Sequence, residues 1–201
     1  MKLSAILLAA GKGTRYNEIK QNVLFHDKPL WRYAYETTAN VVGDENIIIV
    51  GKDVPGGETR AGSVLNGLVA LPEDTDRVII VEAARPMVTQ HQIKQLVDDR
   101  HPAVSFVRPL VNSIVYRNGQ SIDREELYDV LTPQAFDYKL LIKAYLSGKF
   151  NNATEETRVM HEFYGIKPYF IETGTNLFKV TYPGDLEIIE SIYRQLKKED
   201  L

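Results

Sequence analysis

Leu3-Ser4-Ala5-Ile6-Leu7-Leu8-Ala9-Ala10-Gly11-Lys12-Gly13-Thr14-Arg15 is the stretch that decides the fold. An apolar run of strand length passes directly into small residues, glycines and cations, and open α/β sheets place their ligand loops at the carboxyl ends of such strands. Small residues let backbone N–H groups approach a phosphate closely, and Lys12, Arg15 and the later Lys20 add positive charge around it. An ordinary strand-to-helix turn with solvated lysines has the same composition, so this loop alone leaves both readings open. Two commoner phosphate motifs are excluded. Tyr16 stands where a dinucleotide fingerprint needs its third glycine, and no segment has Walker spacing.

Outward from this loop, Ile47-Ile48-Ile49-Val50 and Val78-Ile79-Ile80-Val81 are further unbroken apolar runs, and they alternate with segments of helical period. The expectation is an α/β fold: a Rossmann-like, mostly parallel sheet with helices on both faces. Strands are predicted over 3–8, 46–50, 77–81, 103–107 and 169–172. Helices are predicted over 29–42, 60–71, 90–100, 138–147, 155–161 and 183–198. The stretch 113–122, turning at Asn118-Gly119, reads as a β-hairpin within a protruding arm at about 110–125. Such a hairpin is too small to bury both faces on its own monomer, so it predicts a homodimer.

A chain of 201 residues with 44% apolar content supports one core and one domain over 1–201. A formal charge of -3 gives no whole-chain attraction to nucleic acid or an anionic membrane, and neither is expected as a partner. No run approaches the roughly 18 apolar residues of a membrane helix. The first residues have the outline of a short signal peptide, but Ser4 interrupts the run and the cation-rich loop follows, so the chain is read as cytoplasmic. The absence of cysteine excludes disulfides, thiolate metal sites and cysteine nucleophiles. His26, His91, His101 and His161 lack ligand spacing, and Asp74-Thr75-Asp76 precedes a strand instead of following one, as a solvated turn would.

Five segments carry a resemblance. Leu7 to Arg15 with Lys20-Gln21 resembles the signature loop of the methylerythritol phosphate and ribitol phosphate cytidylyltransferases. Gly56-Gly57-Glu58-Thr59-Arg60-Ala61-Gly62-Ser63-Val64-Leu65-Asn66-Gly67-Leu68 is similar to their second motif, Glu82-Ala83-Ala84-Arg85-Pro86 to their third, Leu131-Thr132-Pro133-Gln134 to their fourth and Lys179-Val180-Thr181 to their last. They occur in the family's order and span nearly the whole chain.

The resemblance implies transfer of CMP from CTP to a small polyol phosphate, with release of pyrophosphate. It implies that Ala9, Ala10, Gly11, Gly13, Gly57, Arg60, Ser63, Glu82 and Ala83 hold the nucleotide, with Gly57 and Ser63 at cytosine. Arg15, Lys20 and Lys179 are implied to stabilise charge on the triphosphate and transition state. Glu82 is implied to hold Mg²⁺, in a position where the family has aspartate preceded by histidine and this chain has Val81-Glu82. Arg85, Ser113, Arg124 and Thr132 are implied to hold the acceptor. Arginine suits that task because its planar fork grips phosphate bidentately.

Read without the resemblance, Gly56-Gly57 followed by Arg60 to Leu68 is a glycine turn with an ordinary capped helix start, Glu82 a loop carboxylate, Arg124 a surface charge and Lys179 a strand-edge lysine. The acceptor stays open. The second motif and Thr-Pro-Gln favour 2-C-methyl-D-erythritol 4-phosphate, whereas Val81-Glu82, a short arm and Val115 favour ribitol 5-phosphate or glycerol phosphate. A different-class alternative is a non-catalytic nucleotide-binding scaffold.

Overall fold

A computed structural model describes the chain except residues 12, 14, 15, 17–19, 200 and 201, and the side chains of Lys20 and Glu199. In chain order its strands are β1 (Leu3–Leu8), β2 (Leu24–Phe25), β3 (Lys28–Pro29), β4 (Ile47–Val50), β5 (Arg77–Glu82), β6 (Ala103–Pro109), β7 (Ile114–Val115), β8 (Ser121–Ile122), β9 (Tyr128–Asp137) and β10 (Tyr169–Glu172). The helices are α1 (Leu30–Val42), α2 (Arg60–Ala70), α3 (Gln90–Asp98), α4 (Tyr138–Leu146), α5 (Glu156–Tyr164) and α6 (Asp185–Glu199).

The continuous apolar strands have the physical cause the sequence implies: both of their faces are covered. Successive side chains of a strand point to opposite sides. Ala5 and Leu7 of β1 and Ile79 and Val81 of β5 therefore enter a core with Ala34 of α1 and with Ile93 and Leu96 of α3. Ile6, Val78 and Ile80 enter a second core with Val64 and Leu68 of α2, Leu141 of α4 and Met160 of α5. Each fully buried Leu or Ile contributes about 1.5–3 kcal/mol relative to exposure. Gly67 sets the spacing on this side, since a Cβ there would lie 2.7 Å from Ile6 Cγ2, so α2 rests directly on β1.

The main sheet has six strands in the order β10-β6-β9-β5-β1-β4. β1 pairs in parallel with both β4 and β5, with Leu8 opposite Val50 and Glu82. β9 is antiparallel to both of its neighbours. The sequence reading has no strand at β9, a segment in which a proline falls in mid-run, where a central strand would not be expected. The sheet accommodates Pro133 with a bulge: Ser105 pairs with Gln134 and Phe106 with Leu131, leaving Thr132 and Pro133 between.

Two smaller pieces complete the fold. Val180, Ile189 and Ile192 pack with Tyr16, Phe25 and Leu30, so α6 braces the region after β1. The hairpin at 113–122 forms as β7 and β8; Val115 and Tyr116 within it and Val111 just before it are exposed. No helix among the described residues is long and apolar enough to cross a membrane.

Candidate active site

β1, β4 and β5 run in parallel and end at one edge of the sheet, and three segments leave that edge together. Ala9 N–H donates to Val50 O at 2.9 Å, and Ala83 N–H donates to Leu8 O at 3.1 Å, so the loop after β1 and the turn after β5 are fixed side by side. Gln21 holds the loop from outside: its Nε2 donates to Ala9 O at 2.7 Å and Gly11 O at 3.0 Å. The segments enclose a cavity of about 280 Å³. Of the residues that the sequence reading gives to nucleotide and charge, Ala9, Ala10, Gly11, Gly57, Arg60, Ser63, Glu82, Ala83 and Lys179 line it. Gly13 does not line it; its φ of 65° is in the left-handed region, and its carbonyl accepts from Tyr16 N–H at 2.8 Å. Arg15 and the side chain of Lys20 lie outside the described residues.

The second wall is built by backbone crowding. Thr59 caps α2, its Oγ1 accepting from Gly62 N–H at 3.0 Å. Ser63 Oγ accepts from Gly57 N–H at 3.0 Å and donates to Thr59 O at 3.1 Å. The sequence reading gives this hydroxyl to cytosine. In the structure its one proton goes to Thr59, and it ties the Gly57 loop to the helix start. A Cβ on Gly57 would lie 2.5 Å from Gly62 C and 2.7 Å from Ser63 N, both backbone atoms that have no rotamer in which to yield. Gly57→Ala is therefore expected to push the loop off the helix and weaken nucleotide affinity about tenfold, measured by calorimetric titration. Affinity equal to the parent's would remove this loop from the site.

A network of opposite charges begins in the cavity wall and runs behind it. Lys179 Nζ is 2.5 Å from Glu82 Oε2, Arg60 Nε donates to Glu82 Oε1 at 3.2 Å, and Arg85 Nε is 4.0 Å from Glu82 Oε2. Burial pushes the Glu82 carboxyl up, but Lys179, then Arg60 and Arg85, more than offset that and hold it at about 2. Arg60 also grips Glu156 bidentately, Nη1 at 2.5 Å and Nη2 at 2.8 Å. Glu156 is fully buried and accepts a further bond from Tyr145 Oη at 2.8 Å. Burial opposes the Arg60 charge, and Glu156 raises its pKa above the ordinary value. Burial, followed by Glu156, raises the Tyr145 hydroxyl. Burial, then the neighbouring Glu156, pushes the Glu155 carboxyl up to about 7.

These contacts alter several expected roles. Arg60 lines the cavity, but its guanidinium is committed to Glu156 and Glu82, which makes it a support of the wall more than a grip on nucleotide. Mg²⁺ requires hard oxygen ligands, usually with substrate phosphates supplying some of them. Glu82 does not fit as a free ligand of this kind, because its carboxylate already faces three cations. Among the described residues no group of three or more His, Asp or Glu side chains could hold a metal.

Of the expected acceptor residues, Arg85 and Thr132 come together, Arg85 Nε donating to Thr132 Oγ1 at 3.0 Å, and both are buried. Arg85 Nη1 also donates to Leu177 O. Ser113 and Arg124 are on the arm and do not line the cavity; Arg124 Nη1 donates to Val111 O within the arm itself.

Gln21, Tyr145, Glu155 and Glu156 are absent from the sequence reading as site residues. Gln21 is legible within the first motif, where it has no assigned task. Glu155-Glu156 reads as two acids at a helix start, which the macrodipole explains fully. Only the tertiary fold brings Glu156 to Arg60, 96 positions away.

A family model described as IspD: 2-C-methyl-D-erythritol 4-phosphate cytidylyltransferase matches residues 30–195. The 2-C-methyl-D-erythritol 4-phosphate cytidylyltransferase of Clostridium botulinum (strain 657 / Type Ba4) is 34% identical over 227 aligned positions, covering 97% of this chain and 99% of that protein. The protein of the same name from Clostridium novyi (strain NT) is 31% identical, covering 98% of each. Both alignments are longer than the chain, so these relatives carry residues that it lacks. Among solved structures, the bifunctional IspDF of Campylobacter jejuni has a TM-score of 0.82 at 26% identity over 93% of this chain; the chain spans 54% of that protein. The 2-C-methyl-D-erythritol 4-phosphate cytidylyltransferase of Thermus thermophilus shares the fold, with a TM-score of 0.78 at 22% identity, covering 96% of this chain and all of that one.

Proposed function

Because the chain belongs to the 2-C-methyl-D-erythritol 4-phosphate cytidylyltransferase family, we propose that it transfers CMP from CTP to 2-C-methyl-D-erythritol 4-phosphate and releases pyrophosphate. The observation that carries this reading is the cavity at the carboxyl ends of β1 and β5, where the Ala9–Gly11 loop, the Gly57 loop and the Lys179 ammonium converge. A phosphate chain on the first loop would meet backbone N–H groups and a cation, while the base would lie toward the Gly57 wall.

In the proposed step a phosphate oxygen of the acceptor attacks the α-phosphorus of CTP in line. A new P–O bond forms, the α–β bridging bond breaks, and pyrophosphate leaves with that electron pair. The attacking phosphate is already ionised at neutral pH, so no general base is needed. The residues have to orient two anions and offset their charge as they meet. Lys179 does this at the α-phosphate, with Arg15 and Lys20 assigned the same task from the loop after β1.

Arg85 and Thr132 support the acceptor side, and Ser113 and Arg124 reach an acceptor from the arm of a second copy in a homodimer. The exposed Val111, Val115 and Tyr116 support this use of the arm. A divalent cation such as Mg²⁺, if the triphosphate carried one in, would supply partial neutralisation of the phosphate charge, and the roles given to Lys179, Arg15 and Lys20 do not depend on it. A cytoplasmic enzyme fits these water-soluble phosphorylated substrates.

The test is pyrophosphate release from CTP and Mg²⁺ with each of three acceptors: 2-C-methyl-D-erythritol 4-phosphate, ribitol 5-phosphate and glycerol 3-phosphate. The first is expected to support the highest kcat/KM. Faster turnover of ribitol or glycerol phosphate would reassign the acceptor to the reading that Val81-Glu82 favours. No release with any of them would favour the scaffold reading.

A further inference from the structure

Glu82 ends β5 at the floor of the cavity, in contact with three positive side chains. One oxygen faces Lys179 at 2.5 Å and Arg85 at 4.0 Å, and the other accepts from Arg60 at 3.2 Å. The three cations differ in their freedom. Arg60 is clamped by Glu156, and Arg85 is buried with bonds to Thr132 and Leu177. The Lys179 side chain is 37% exposed, lines the cavity, and has Glu82 as its ion-pair partner.

Lys179 is thus the member of the cluster that can leave Glu82 without breaking buried bonds of its own. A divalent ion approaching the same carboxylate meets like charge on both oxygens. A polyanion entering the cavity instead meets an ammonium on a flexible stem, which can exchange one anionic partner for another.

We propose that Glu82 is not a metal ligand in this chain but the counter-ion that stations Lys179 at the cavity wall until an incoming phosphate chain takes it over. Glu82 is in this sense a positioning residue that acts through Lys179. The exchange lets the ammonium stay paired in the free protein and become a phosphate contact on binding. The inference rests on reading the cavity as a triphosphate site. Its probe carries neither base nor acceptor, so an error in the acceptor leaves it standing, and the acceptor panel fails or succeeds independently of it.

The experiment is titration calorimetry with inorganic tripolyphosphate in the presence of EDTA. Removing the internal competitor is expected to make Glu82→Gln bind roughly threefold to tenfold tighter than the parent. In a Lys179→Met background the same substitution is expected to change affinity by less than about twofold, since the two residues act as one pair. No tightening, or tightening that persists undiminished without Lys179, overturns the proposal.

A second arm addresses the metal. Mn²⁺ titrated into the nucleotide-free parent and followed by water-proton relaxation is expected to find no one-to-one site. A stoichiometric site that disappears in Glu82→Gln would restore Glu82 as a metal ligand. Circular dichroism establishes that the variants fold. If Glu82→Gln does not fold, the Mn²⁺ titration of the parent decides alone, with a one-to-one site overturning the proposal.

Discussion

Folded Lys179→Met enzyme is expected to turn over CTP about 10² to 10³ times more slowly than the parent, a loss of roughly 3–4 kcal/mol of transition-state stabilisation. Methionine keeps much of the apolar stem of lysine and deletes only the charge. The expected loss is large because two anionic groups must be brought together at the α-phosphate, in a cavity where low dielectric raises the value of a fixed cation.

The loss should fall on kcat more than on the KM of the acceptor, because the charge that Lys179 offsets grows as the new bond forms. Lys179→Arg would keep the charge but replace a point ammonium with a planar fork, so partial activity is the expected result. If a well-folded Lys179→Met enzyme released pyrophosphate at the parental rate, charge stabilisation from this side of the cavity would have to be abandoned. A surface lysine without a role in the site predicts that outcome, with stability changed by no more than about 0.5 kcal/mol.

The fold was legible where one physical rule governed a segment. The apolar run of β1 is found over the predicted residues, because buried parallel strands require continuous apolar character, and the edge strand β10 also spans its predicted residues although most of its side chains are exposed. The helices were legible from their period, with small shifts at their ends where caps decide the boundary: α2 begins at Arg60 because Thr59 accepts from Gly62 N–H. β9 escaped because two rules conflict in it. Gln134 to Phe136 pair with both β5 and β6 and Tyr128 to Leu131 with β6, while Pro133 sits in a bulge that is specified by pairing with β6 and not by any local signal.

In the site, the small residues of the first loop were readable, since they follow directly on the apolar run of β1 and line the cavity at its carboxyl end. The charge network was not. A carboxylate such as Glu82 reads equally well as a metal ligand or a counter-ion until the positions of Lys179, Arg60 and Arg85 are known. Glu156 carries no functional signal at all in one dimension, because its only unusual property is complete burial.

That burial makes the loss of Arg60 costly in stability. Arg60→Met removes both bonds of the guanidinium fork and leaves the Glu156 carboxylate with no exposure to water and with Tyr145 as its remaining hydrogen-bond donor. Breaking a buried ion pair by removing one partner typically costs about 3–5 kcal/mol, because the other charge is left uncompensated. Urea unfolding should show this as a lower midpoint with an unchanged slope. The penalty belongs to the orphaned charge and not to the lost contact, so removing that charge as well should relieve it. Arg60→Met with Glu156→Gln is therefore expected to recover more than half of the lost stability, a coupling that two independent sites would not display. The double variant still lacks the arginine beside Glu82, and Lys179 and Arg85 remain there to compensate that carboxylate. Recovery of stability in the double variant would place the main cost at Glu156. If stability were not recovered, the larger share of the Arg60 contribution would have to come from Glu82 or from packing of the arginine stem against the wall of the cavity.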